Sequence, residues 1–106
     1  MNMEKTNSLI GKPVIVRANV AGVHAGILDS LDGTAATLKN AYRLWRVYTR
    51  DKSGSISDVA ANGLRPDAQH SVGTMLETVV IVNPPGLEIA QMTQDAYDGL
   101  KDWAGK

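Results

Sequence analysis

The residues best equipped for chemistry crowd into one stretch, Leu38 to Arg50 (LKNAYRLWRVYTR). It contains three of the five aromatic residues, four of the eleven basic residues and no acid. Aromatic faces beside guanidinium groups suit a planar anion, because a ring stacks on a base while Arg forks a phosphate. In this reading Trp45 or Tyr48 stacks the base, Arg43 and Arg46 neutralise phosphates, and Asn40 reads a base edge. His24, inside the glycine-flanked segment GVHAG, adds a ring nitrogen that titrates near neutral pH. Each residue also has a plain structural alternative. Trp45 and Tyr48 serve equally well as core, Arg43 and Arg46 as surface charge, and His24 as a satisfied buried histidine. Their density in one stretch is what favours a binding site.

Catalytic signatures are missing by comparison. The two histidines, His24 and His70, are far apart, and no ligand spacing points to a metal site. Neither a G-x-S-x-G elbow nor a G-x-x-x-x-G-K phosphate loop occurs. Asp95, Asp98 and Asp102 share one face of an expected helix, where carboxylates ordinarily just meet solvent. The sequence therefore reads as a non-enzymatic binding protein with no cofactor.

A chain of 106 residues with zero formal net charge is one small domain with a thin core, and its neutrality speaks against general duplex binding. The charge is unevenly spread. Residues 39–52 carry five cations against Asp51, while residues 88–102 carry Glu88, Asp95, Asp98 and Asp102 against Lys101. The two segments can lie against each other, pair between subunits, or equally form two ordinary solvated faces. There is no cysteine, no apolar run of membrane-spanning length and no signal-peptide pattern at the N-terminus; a cytoplasmic protein without membrane contact is expected.

The elements that must position these residues follow in order. Residues 1–11 read as a flexible arm and residues 12–106 as a single α+β domain. Alternation in PVIVRANV gives a strand, and a second runs from Val23 to Leu31, with a tight turn and a bulge expected at Gly22 and Gly26. Asp32-Gly33 marks a hairpin turn into Ala35–Thr49, which reads as one long strand or as two strands bent near Asn40-Ala41. Ser55-Ile56-Ser57-Asp58 opens a short helix that ends at Gly63. Thr74–Val82 is the most β-rich run and is expected to be central in the sheet. Ile89, Met92, Thr93, Ala96, Leu100 and Trp103 follow a helical stripe, which predicts one helix over Leu87–Trp103 packed on a mainly antiparallel, curved sheet.

Several blocks also carry a resemblance. VIVR (14–17), AGVHAGIL (21–28), LKNAYRLW (38–45) and a spacing-shifted S-x-S-x-x-x-A-x-x-G (Ser55 to Gly63) resemble a family of small proteins carried by bacteriophages and prophages, over about residues 13–83. That family commonly has a further aromatic after the Trp, where this chain has Arg46. Size and layout are also similar to the Thoeris anti-defence proteins of the first type, sponges for cyclic ADP-ribose-type and cyclic oligonucleotide immune signals. The resemblance implies a β-rich homo-oligomer in the host cytoplasm, with pockets at subunit boundaries that hold a nucleotide-derived signalling molecule. Two alternatives stand beside it: an accessory protein that binds nucleic acid, and a protein-binding inhibitor or structural protein.

Overall fold

The computed structural model describes residues 8–18, 22–32, 35–82 and 87–105. Six antiparallel strands form one curved sheet: β1 (Pro13–Ala18), β2 (Gly22–Leu31), β3 (Ala35–Arg46), β4 (Ser71–Val72), β5 (Leu76–Val82) and β6 (Glu88–Gln91). The order is β4-β3-β2-β1-β6, and β5 also pairs with β3, beside its first half. Two short helices, α1 (Ile56–Asn62) and α2 (Gln94–Asp98), and a 3-10 turn (Gly99–Asp102) complete the described fold.

Strand alternation sends side chains to two faces, and both are buried at the centre. On one face Ile15, Ala25, Tyr42 and Leu44 pack beneath Val59, Ala60, Ala96 and Leu100 of the helices. On the other, Val14, Val16, Leu28, Leu38 and Ile81 form a second cluster, over which Leu9, Val79, Leu87 and Ile89 close. Val14, Ile15 and Val16 are all completely buried. A strand serving two cores reads as a continuous apolar run, and each such side chain contributes about 1.5–3 kcal/mol of transfer free energy.

The expected bend in β3 is real. Asn40 takes a left-handed conformation (φ 48°), and the β2–β3 register slips between Ala25 and Ile27. Opposite that bulge Gly26 lies so close to Ala41 that a Cβ there would sit 2.9 Å from the Ala41 Cβ. The short helix also forms as expected: the Ser55 hydroxyl accepts from the Ser57 N–H, and Gly63 (φ 79°) ends it by donating to the Val59 carbonyl. Of the hairpin turn after β2, Gly33 and Thr34 lie outside the described residues. The flanking Asp32 accepts from the Ala35 N–H through its side chain and donates to the Ala35 carbonyl through its backbone. Residues 1–7 of the expected arm are likewise outside, whereas the Gly11 N–H bonds to the Leu28 carbonyl.

Two expectations are corrected. The helix over Leu87–Trp103 is instead β6, then α2, then the 3-10 turn. Glu88–Gln91 pairs with β1 and sends Ile89 to one core and Ala90 to the other, and Thr93 starts α2 by capping the Ala96 N–H. A short alternating strand followed by a short helix happened to reproduce the helical stripe. The second correction concerns β5, which is an edge strand and not central: β3 is its sole partner among the described residues.

Candidate functional site

Cross-strand pairing decides which of the expected site residues meet. His24 of β2 lies directly opposite Arg43 of β3 and, on its other side, opposite Val16 of β1. Two residues on, the Arg43 guanidinium lies 5.7 Å from the centroid of the Trp45 ring, within cation–π range. His24, Arg43 and Trp45 thus form one cluster at the end of the sheet. Gly73 is part of its frame. The Gly73 N–H donates to the Arg43 carbonyl, and a Cβ at that position would lie 3.4 Å from Trp45 Cζ3. This segment therefore runs within van der Waals reach of the indole.

Trp45 is 65% exposed, although indoles usually bury most of their large apolar surface. His24 has the opposite character. It is only 8% exposed, and its Nδ1 has no hydrogen-bond partner. Burial, reinforced by the Arg43 charge, holds its pKa below the ordinary 6.5, so the imidazole is neutral at neutral pH. A buried ring nitrogen left unpaired costs about 1–3 kcal/mol, a deficit that an incoming ligand can remove.

Around the strand end, Trp45 and Arg46 line a groove of about 410 Å³ together with Arg17 of β1. Its other walls are Ile15, Val23, Leu44, Val47, Ile56 and Val59, with Gly54 at the rim. Arg17, Val23 and Leu44 form one row across three strands on the helix-covered face, beside Ile56 and Val59 of α1. Apolar walls with two guanidiniums at the lip fit an anionic ligand that has a flat apolar body.

The remaining expected residues go elsewhere. The exposed Asn40 bends β3, and its carbonyl accepts from the Tyr97 hydroxyl at 2.6 Å. Tyr48 joins a separate cluster: its N–H donates to His70 Nδ1 at 3.1 Å, and its ring lies 5.6 Å from the Arg65 guanidinium. Because Nδ1 accepts, His70 Nε2 carries the proton and donates to the Arg65 carbonyl at 2.7 Å. Trp103 meets the same imidazole edge-on at 4.7 Å. His70 is therefore a satisfied structural histidine, and Tyr48 lies in its cluster and not in that of Trp45.

Sequence reasoning missed Arg17. Its signal was there, as the lone charge inside an otherwise apolar strand (PVIVRA). It also missed a larger cleft of about 720 Å³ between the helices and the loop after β3, where Arg50 shares the lining with Asp95 and Asp102. The expected approach of basic and acidic segments takes this form, although the one ion pair within 4.0 Å among the described residues is Arg65–Asp67. No group of three or more His, Cys, Asp or Glu converges as a metal site among them, and no described helix is long and apolar enough to cross a membrane.

A family model, described as a domain of unknown function (DUF6948), matches residues 11–100. The chain belongs to the DUF6948 family. The match runs from just before β1 into the 3-10 turn, so the DUF6948 region contains the whole described sheet and the groove beside Trp45. No curated protein and no solved structure matches the chain.

Proposed function

We propose that this protein captures a planar, anionic, nucleotide-derived signal, of the cyclic ADP-ribose or cyclic oligonucleotide type, and holds it without cleaving it. One observation carries the reading: an indole left 65% exposed, with the Arg43 guanidinium over its ring and Arg46 and Arg17 in the adjoining groove. Trp45 supplies the stacking surface. Arg46 and Arg17 supply charge in the groove, while Arg43 and the unpaired His24 Nδ1 approach Trp45 from the opposite face of the sheet. The residues in register with His24 are Val16 and Arg43, so no carboxylate stands opposite it to drive proton transfer. Capture needs affinity and no turnover, which matches this set of groups. The sequence blocks shared with small phage and prophage proteins support a role in the host cytoplasm, where such signals are made.

Isothermal titration with cyclic ADP-ribose isomers and with cyclic di- and trinucleotides tests the reading. Saturable heat with at least one of them, abolished by Trp45→Ala together with Arg43→Ala, is the expected result. Silence across the panel retires the proposal.

A further inference from the structure

The two edges of the sheet differ in a way that bears on assembly. At one edge β6 is four residues long and begins and ends with Glu88 and Gln91, which is how natural sheets blunt an edge. At the other, β5 is seven residues long (LETVVIV), and its only charge is Glu77. Its outward side chains are apolar and unusually exposed: Leu76 at 56%, Val80 at 51% and Val82 at 67%, with Met75 beside them. No backbone group of Leu76–Val82 bonds to anything other than β3 among the described residues. A long apolar edge with no lysine, proline or bulge is a template for another strand.

We infer that β5 is the interface between two copies of this chain, which pair antiparallel about a two-fold axis through Val79. In that register the strand's single charge never meets its own copy, and every pair but one joins apolar residues or threonine. On the exposed face Leu76 lies opposite Val82 of the second copy, and Thr78 opposite its Val80. On the other face Val79 meets Val79, and Glu77 faces Ile81, so no charge lies opposite a like charge. The second copy supplies hydrogen-bond partners for the β5 edge and sets its own apolar side chains beside the exposed valines, shielding part of their surface. The two sheets become one continuous sheet, an isologous arrangement that closes and leaves the polar β6 edges and the two-residue β4 outside. The inference is independent of any ligand.

The full chain, examined by light scattering and by sedimentation at micromolar concentration, is expected to have twice its 11.3 kDa mass. Val80→Lys places a cation opposite Thr78 and about 7–8 Å diagonally from its own symmetry copy, raising the dimer dissociation constant by roughly tenfold or more. Because Val80 is half-exposed, the circular dichroism of this variant should match the parent. Adding Thr78→Glu gives that lysine a partner across the axis and should restore the dimer. The chain has no cysteine, so Val79→Cys reports the register directly. Mild oxidation should link two Val79→Cys copies by a disulfide faster than two Val80→Cys copies. A monomeric parent, a Val80→Lys protein that stays dimeric, a failed rescue, or faster linkage through position 80 each overturns the inference.

Discussion

Gly26→Ala tests the geometry that sets the phase of β3. An added Cβ would meet the Ala41 Cβ at 2.9 Å, the Lys39 carbonyl oxygen at 3.0 Å and the Ala41 Cα at 3.1 Å. Carbon contacts settle at about 3.5–4.0 Å, so these approaches are too short by roughly half an ångström or more. Two of the three atoms belong to the backbone of β3, beside the left-handed Asn40, and cannot rotate away. The bulge must open, at a cost of about 2–3 kcal/mol. With a urea slope of about 1–2 kcal/mol/M, the unfolding midpoint should fall by about 1–3 M. Gly99→Ala is the internal control. Gly99 has right-handed helical geometry (φ −68°, ψ −18°), and an added methyl there meets nothing within 4 Å. That substitution should stabilise by about 0.5–1 kcal/mol through the unfolded chain. Gly26→Ala losing less than about 0.5 kcal/mol, or Gly99→Ala proving the more damaging, would refute the reasoning from contact distances.

Trp45→Ala should leave urea stability within about 0.5 kcal/mol, since the ring is mostly in solvent, yet weaken ligand binding by about 1–3 kcal/mol, roughly 5- to 150-fold. His24 makes the fold acid-sensitive. Its folded pKa lies below the ordinary 6.5, so as pH falls through 6.5 the unfolded chain takes up the proton first and stability declines. His24→Gln should flatten that part of the urea-midpoint profile between pH 8 and 5; an unchanged slope would remove His24 as its source. Asp58 is buried and accepts from the Arg50 N–H at 2.8 Å and from Asn62 Nδ2 at 2.7 Å. Asp58→Ala should cost about 2–3 kcal/mol by stranding those donors, and Asp58→Asn about half as much, as read by thermal melting.

Local signals in the sequence were clear and distant ones were not. The Ser55 cap and the Gly63 stop depend on neighbours a few residues apart and were legible. The bulge at Gly26 and the bend at Asn40 are completed across β2 and β3, and the sequence marked only their places. The place of β5 was not. Thr-Val-Val-Ile-Val states a strong wish to be a strand but says nothing about how many neighbours the strand will have. Glu88–Gln91 pairs with a strand more than seventy residues earlier, and four residues are too few for alternation to outvote a helical stripe. At the site, the Arg-Trp-Arg grouping was visible as a stretch. That His24 would meet Arg43 while Tyr48 turned to His70 depended on register across a bulge.

The double burial of β1 makes the two halves of this small protein hostages to one another. Loosening the helical side exposes Ile15, and loosening the opposite side strips Val14 and Val16, so either event takes away the seam on which the other depends. Breathing motions in such a molecule are confined to its rims, and its amide protons along Val14–Val16 should exchange with deuterium only when the entire chain lets go.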